Sequence, residues 1–472
     1  MHGNSQFKKE GWACFFLLEK ADTMLGKLQN RKVFFSGIGG VSMNALAILL
    51  KENGYDVLGS DRAASAVTDR LIEKDIPVFI GQKAENITED IGLLVRTAAV
   101  PLDAPEVIRA NELSIPVMER STLLGIVMKN YKERINICGT HGKTTTTSMT
   151  ALALMKAGKQ PTVTVGGDFP RIDGNLLLGK KDYFVCEACE YVESFLEFFP
   201  SATILLNIEE DHLDYYRDID HICSAFQKFT DKTEHIVVAN GDDENVRRLS
   251  FSNCKAVFFG INEGDYLAKN INLSFDKTEY DAYYHGEKIA HVVLKVAGRH
   301  NVLNSLSVLA LMHELGVEMA PVLETFSEFL GTKRRMEYKG EFKGVPVYDD
   351  YAHHPTEIVT TISSIRQKQP KRLVMLFQPH TFTRTLTLKD EFIAVLKQAD
   401  VLYLADIYAA REKDTGVIHS RDLAEKIPGA ISTPALSDAV TKLRNSLREG
   451  DIFVTVGAGD VYKAGESLLA VE

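Results

Sequence analysis

The sequence predicts an α/β protein of three domains with mostly parallel sheets. Three observations predict it. Apolar strand-like runs alternate with helix-like runs along the chain, two of these strands lead into glycine-rich turns, and two short charged segments divide the alternation. At 472 residues the chain is too long for one ordinary core and suits two to four domains. The expected divisions are an N-terminal extension at 1–29 and domains at 30–130, 131–331 and 332–472.

In the extension, Trp12–Leu18 is apolar behind Lys8 and Lys9, but Glu19-Lys20 follows at once and no small-residue cleavage site appears. Residues 1–27 therefore read as an appended helix or disordered leader, with Met24 a candidate start. The first domain opens on the strand Lys32–Ser36, the turn Gly37-Ile38-Gly39-Gly40, the apolar-periodic helix Met43–Asn53 and the strand Tyr55–Asp61. A strand, glycine turn, helix and strand-end acid make a Rossmann-like unit for a diphosphate-linked nucleotide, with Asp61 about 20 residues beyond the turn. Ser42 stands where the dinucleotide fingerprint has its third glycine, so a tight turn without ligand is the competing reading. The alternation continues to Met128, and Asn130–Arg134 reads as a polar linker.

The second domain begins with the apolar segment Arg134–Cys138, the loop Gly139-Thr140-His141-Gly142-Lys143-Thr144-Thr145 and a helix over Ser148–Lys156. A glycine turn at a helix N-terminus directs backbone N–H groups and the macrodipole at one place, which suits phosphate. Lys143 adds a full charge, and the Thr144 hydroxyl sits where such loops hold Mg²⁺. Ile137 replaces the outer glycine of the strict pattern, so this is a shortened P-loop-type site for a nucleoside triphosphate. Strands at Tyr183–Glu187, Ala202–Asn207 and His235–Asn240, a helix near His221–Thr230, a β-rich stretch from Cys254 to Val296 and a helix His300–Leu315 complete the domain.

Two strand ends carry acids: Cys186-Glu187-Ala188-Cys189-Glu190, and Asn207-Ile208-Glu209-Glu210-Asp211-His212. Ligands in α/β sheets gather at the carboxyl ends of strands, so Glu187 and His212 are candidate Mg²⁺ ligands beside the phosphates. The other reading is helix capping, and Glu209, Glu210 and Asp211 are not separable on sequence. Gly331–Arg335 reads as the second linker, with Arg334-Arg335 either solvated or reaching the triphosphate. The third domain has strands at Val345–Asp350, Arg372–Phe377, Val401–Ala405 and Ile452–Val456. Asp349-Asp350-Tyr351-Ala352-His353-His354-Pro355 and Gln378–Arg384 follow two of them and suggest a pocket for a small zwitterion, with Arg384 on its carboxylate.

The net charge of −10 argues against non-specific binding to nucleic acid or an anionic membrane surface. No apolar run approaches the ~18–20 residues of a membrane span. Six scattered cysteines favour a reducing cytosol, and the lone Cys186-x-x-Cys189 reads as packing rather than a metal or redox site.

In sequence order, Gly-Ile-Gly-Gly (37–40), Gly-Thr-His-Gly-Lys-Thr-Thr-Thr-Thr (139–147), Glu-Ala-Cys-Glu-Tyr (187–191), Asn-Ile-x-x-Asp-His (207–212) and Gly-Arg-His-Asn-x-x-Asn (298–304) resemble the Mur ligases of bacterial peptidoglycan synthesis. Lys-Arg-Arg (333–335), Asp-Asp-Tyr-x-His-His-Pro-Thr-Glu (349–357), Gln-Pro-His (378–380) and Gly-Ala-Gly-Asp (457–460) extend the resemblance over about residues 30–465. It implies a UDP-sugar domain, a central ATPase and a Rossmann-like amino-acid domain, with ATP, Mg²⁺, UDP-N-acetylmuramate and L-alanine as ligands. It further implies Lys143 on the β/γ-phosphates and Thr144, Glu187 and His212 on the metal. His300, Asn301 and Asn304 would lie on the adenine side, Arg335 and Asp350 would contact nucleotide across domains, and Tyr351, His353, His380 and Arg384 would form the amino-acid pocket. Two departures stand out: Ala-Cys-Glu-Tyr-Val follows Glu187 where many members have Ala-Asp-Glu-Ser-Asp, and Thr381 occupies a position that is often arginine. The alternatives are a sister ligase that adds a tripeptide or acts on a folate, and a non-catalytic nucleotide sensor.

Overall fold

The computed structural model describes residue 28 and residues 31–470, except 98, 173, 214, 275, 276 and 411. The apolar stretch 12–18 and Met24 lie outside the described residues. Three separate sheets organise the rest.

The first sheet is wholly parallel, in the spatial order Val78–Ile80, Val57–Asp61, Lys32–Ser36, Ile91–Arg96, Val117–Glu119. Strand order reverses beside Lys32–Ser36, so the glycine turn that follows it opens at the topological switch point. Val33, Phe34 and Phe35 are all fully buried because helices cover both faces of a parallel sheet. The helix after the turn runs Val41–Glu52.

The central sheet places Glu287–Leu294, Thr278–Tyr284, Tyr266–Leu273, Lys255–Gly260, Ile236–Asn240, Ala202–Leu205, Glu133–Cys138, Tyr183–Glu187, Thr162–Phe169 and Gly174–Leu177 side by side. Its interior pairs are parallel, and antiparallel hairpins close both edges. The edge pair Thr162–Phe169 and Gly174–Leu177 escapes the sequence reading, because Gly166-Gly167 interrupts the alternation. The polar linker expected at 130–134 is corrected. Tyr131 is buried, with its ring 4.9 Å from that of Phe184, and Glu133 and Arg134 already belong to a strand. Polar residues fit at this strand start because the Arg134 guanidinium donates to the carbonyls of Phe199 and Tyr131.

The third sheet runs Glu337–Phe342, Val345–Asp350, Asp451–Val456, Arg372–Phe377, Val401–Leu404, Ile431–Ser432. The first pair is an antiparallel hairpin and the others are parallel. Asp451–Val456 lies between the two strands whose carboxyl ends carry the histidine-rich segments, which places those segments across one strand from each other. Among the described residues no helix is long and apolar enough to cross a membrane.

Candidate active site

The phosphate loop is held open by its neighbours. Gly139 and Gly142 have φ of +136° and +86°, and a Cβ on Gly142 would lie 2.8 Å from Asn304 Oδ1. Glycine is therefore required there. The helix begins at Lys143, earlier than periodicity suggested, because the left-handed Gly142 ends the turn at that residue. The adjacent strand end clamps the loop: His141 N–H donates to Asn207 Oδ1 (2.7 Å), Asn207 Nδ2 donates to the His141 carbonyl (3.1 Å), and Glu209 N–H donates to Thr140 Oγ1 (2.9 Å).

Lys143 curls back into this loop. Its Nζ donates to the carbonyls of Gly139 (2.5 Å) and Thr140 (3.1 Å) and to Glu190 Oε2 (2.9 Å), with side-chain exposures of 15% for Lys143 and 3% for Glu190. Burial opposes the ammonium charge, but Glu190 outweighs it and holds the lysine above its usual range. Glu190 was not singled out from the sequence, although it closes the acid-bearing segment that begins at Glu187.

Thr144 Oγ1 donates to Glu187 Oε2 (3.1 Å), and Gly166 N–H donates to Glu187 Oε1 (2.6 Å). Burial raises the Glu187 carboxyl above its usual range. His212 adjoins Glu190 instead, with Nε2 3.8 Å from Glu190 Oε1 and 3.8 Å from Asp211 Oδ2. Burial lowers its pKa and so favours the neutral imidazole, and its Nδ1 is buried without a hydrogen-bond partner. The Thr144 hydroxyl and the Glu187 carboxylate lie together as oxygen donors that fit a divalent cation, whereas His212 stands beside Glu190 with an orphaned Nδ1.

Between the central and C-terminal domains lies a cavity of about 310 Å³. One wall is His141, Gly142, Thr144 and Thr145 of the loop with His300, Asn301 and Asn304 of the helix Arg299–Glu314; the facing wall includes Arg335, Asp350 and Glu357. Burial and the neighbouring Arg335 push His300 down to about 4. Burial pushes Asp350 up to about 6 against the pull of Arg335, and its oxygens accept from the N–H groups of Met336 (2.9 Å) and Ala352 (2.8 Å). The two arginines of the expected linker divide. Arg335 faces the cavity, 3.5 Å from Glu357 Oε1, whereas Arg334 bonds Asp349 (3.0 Å) and the Gly457 carbonyl (2.6 Å). At another part of the wall Lys368 donates to the Tyr348 hydroxyl (2.7 Å), and burial pushes that lysine down to about 8.

Glu357 ties the walls together. Its Oε1 lies 3.2 Å from His141 Nδ1, and its Oε2 accepts from the N–H groups of His353 (3.0 Å) and His354 (3.3 Å). Burial would suppress the charge of His141, but Glu357 and Glu209 reverse this and raise it to about 10. His354 Nε2 lies 3.1 Å from the Glu210 carbonyl, a second bridge between domains. Glu357, Asn207 and His354 sit inside motifs that the sequence displays, but nothing in the spacing marks them as bridges.

Tyr351, His353 and His380 do converge, with ring centroids 5.6 Å apart for Tyr351–His353 and 5.7 Å for His353–His380. Arg384 joins them through Nη1, 3.2 Å from His380 Nδ1. Its other nitrogens, however, donate to Asp211 Oδ1 of the central domain, at 3.1 Å from Nε and 2.7 Å from Nη2. In the N-terminal domain the Asp61 carboxylate accepts from Gly39 N–H (2.8 Å), and a Cβ on Gly39 would lie 2.7 Å from the same oxygen. Gly37 has φ +80°, and Gly40 caps the following helix after the buried Ile38. Beneath this turn the buried Glu106 accepts from the hydroxyls of Ser36 (2.5 Å) and Ser60 (2.9 Å). The free thiol of Cys186 is buried beside Asn136 Nδ2 (2.8 Å).

Comparison with known proteins covers the same three regions. Residues 32–132 match the model of the Mur ligase family, catalytic domain; residues 137–312 match the Mur ligase middle domain; and residues 334–459 match the Mur ligase, glutamate ligase domain. The UDP-N-acetylmuramate–L-alanine ligase of Clostridium novyi is 44% identical over 450 residues, covering 94% of this chain and 98% of that protein. The enzyme of the same name from Clostridium kluyveri is 45% identical over 452 residues, with the same shares covered. Among solved structures, the UDP-N-acetylmuramate–alanine ligase of Thermotoga maritima superposes with a TM-score of 0.81 at 32% identity, covering 93% of this chain and 98% of that one. The murein peptide ligase of Psychrobacter arcticus shares the fold, with a TM-score of 0.71 at 22% identity over 93% of this chain and 98% of that one.

Proposed function

The chain belongs to the Mur ligase family, and from that membership we propose that it is an ATP-dependent carboxylate–amine ligase joining L-alanine to the lactyl carboxylate of UDP-N-acetylmuramate in peptidoglycan synthesis. The observation that carries the chemistry is the cleft, where a phosphate loop on one domain faces an arginine and acids on another. The choice of alanine rests on the full-length relatives. A tripeptide-adding enzyme or a non-catalytic sensor is not favoured.

The proposed division of labour follows the domains, taken as 30–130, 131–331 and 332–472. Gly37, Ile38, Gly39 and Gly40, with Asp61 fixing the turn, receive the UDP-sugar. Gly139 through Thr145 and Arg335 take the triphosphate, with Asn301, Asn304, His300 and Asp350 on the nucleoside side. A carboxylate is a poor electrophile, so ATP first converts it to an acyl phosphate, which the alanine amine then attacks through a tetrahedral adduct. Amide, ADP and phosphate leave. Lys143 and Arg335 stabilise the charge that moves between phosphate oxygens, and closure of the cleft keeps water from the acyl phosphate. Thr144, Glu187 and His212 would hold Mg²⁺, which when bound neutralises phosphate charge. Tyr351, His353, His380 and Arg384 would receive alanine. The proposed substrates support a cytoplasmic location, and the reading calls for neither a nucleic-acid partner nor membrane insertion.

Phosphate release with UDP-N-acetylmuramate, measured against each amino acid in turn, tests the reading. Release should be fastest with L-alanine and should require the UDP-sugar; slow ATP turnover indifferent to both would overturn it. For the metal, Glu187→Gln preserves shape and removes charge, so the Mg²⁺ concentration giving half-maximal activity should rise. An unchanged Mg²⁺ requirement in both Glu187→Gln and His212→Ala would place the ion elsewhere.

A further inference from the structure

We propose that His141, Glu209 and His354 form a second cation site, for Zn²⁺ or a related transition metal, that ties the central domain to the C-terminal domain. One ligand atom from each of these residues lies within 4.8 Å of the others. His141 comes from the phosphate loop, Glu209 from the segment after Ala202–Leu205, and His354 caps the helix Pro355–Arg366 of the other domain. The imidazole rings of His141 and His354 are 5.1 Å apart between centroids.

The donor set selects the metal. Two imidazoles with a single carboxylate suit Zn²⁺, Co²⁺ or Ni²⁺, whereas Mg²⁺ favours sites in which oxygen donors dominate, as hydroxyl, carboxylate and phosphate do beside Thr144 and Glu187. Tetrahedral Zn²⁺ with bonds of about 2.0–2.1 Å needs donors roughly 3.4 Å apart, so small turns of the rings and carboxylate complete the site.

The surroundings of His141 and Glu209 are arranged as metal sites require, while His354 would exchange one of its present contacts, Nδ1 with Thr356 N–H (3.4 Å) or Nε2 with the Glu210 carbonyl (3.1 Å), for the metal. A ligating histidine usually gives its other ring nitrogen to a carboxylate, which fixes its orientation. His141 Nδ1 lies 3.2 Å from Glu357 Oε1, which leaves Nε2 facing Glu209 Oε2 at 3.5 Å. That Nε2 is buried and has no hydrogen-bond partner, and because the two carboxylates favour the protonated ring, a bound metal takes the place of the Nε2 proton facing Glu209, which is released to solvent. Glu209 Oε2 is fixed in turn by the Thr356 hydroxyl at 2.8 Å. The site is distinct from Thr144, Glu187 and His212, and it does not depend on which amino acid the enzyme adds.

The test is titration of tag-free, nucleotide-free full-length protein with Co²⁺, read by the visible ligand-field bands of four-coordinate cobalt, with Zn²⁺ as competitor. The proposal expects one stoichiometric site displaced by Zn²⁺ and weakened at least ~10-fold in Glu209→Gln and in His354→Ala, with a comparable loss in Glu357→Gln. His212→Ala should keep the bands. Far-ultraviolet circular dichroism confirms that each variant is folded, and the exposed edge of Glu209 makes its glutamine variant the conservative one. Absence of four-coordinate bands, bands unchanged in Glu209→Gln, or bands lost in His212→Ala instead would each overturn the site.

Discussion

Lys143→Ala should lower turnover by at least ~10²-fold, the usual loss for one electrostatic contact to a transition state. It should also destabilise the fold, an effect that an exposed loop would not show. Lys143 is the partner of a nearly fully buried Glu190, and removing one member of a buried pair leaves the other uncompensated. Such losses reach about 3–5 kcal/mol, and the partial exposure of Lys143 places this one toward the lower end. The two effects separate in the double variant Lys143→Ala/Glu190→Gln. The amide carries no charge to strand, so the melting temperature should recover, while turnover should stay low. Normal turnover in a folded Lys143→Ala protein would remove the loop from catalysis.

Arg384→Ala should raise the KM for L-alanine roughly tenfold to hundredfold, since a charge-assisted hydrogen bond contributes about 1.5–3 kcal/mol. The KM for ATP should move much less, because the proposed triphosphate site is on the central domain. Arg384→Lys should rescue only partly, since an ammonium cannot make the planar two-point pair. In the structure Nε and Nη2 both donate to a single oxygen, Oδ1 of Asp211, so on the proposed reading the alanine carboxylate would replace a protein carboxylate there. Equal losses for all three substrates would mean that Arg384 acts as a domain fastener rather than as a carboxylate receptor.

Strands were legible wherever apolar runs were continuous: Lys32–Ser36, Tyr183–Glu187 and Arg372–Phe377 lie where the alternation predicts them. Thr162–Phe169 and Glu337–Phe342 were not, because glycines and charged residues break their period; pairing makes them strands, to Tyr183–Glu187 and Gly174–Leu177 for the first and to Val345–Asp350 for the second. The loop residues around Lys143 and the histidine-rich segments could be nominated because local chemistry marks them. Their partners could not. Glu190, Glu357 and Asp211 matter through contacts spanning 47, 216 and 173 residues, and sequence spacing carries no trace of which acid meets which base. For Arg334 and Arg335 the sequence offers equal claims, and only the backbone turn between them, with Arg334 at φ +60°, sends one inward to Asp349 and the other to the cleft.

The two oxygens of Glu357 serve different masters. Oε2 completes the capping box of its own helix, while Oε1 faces His141 across the cleft and Arg335 on its own side. A parting of the cleft would cost the outward oxygen its His141 contact but not its Arg335 contact. The helix start keeps its cap throughout. The cap of the helix that forms the cleft wall is thus independent of the contact across the cleft, so Glu357 stays positioned to meet His141, and Thr356 to meet Glu209, whether or not the two domains touch.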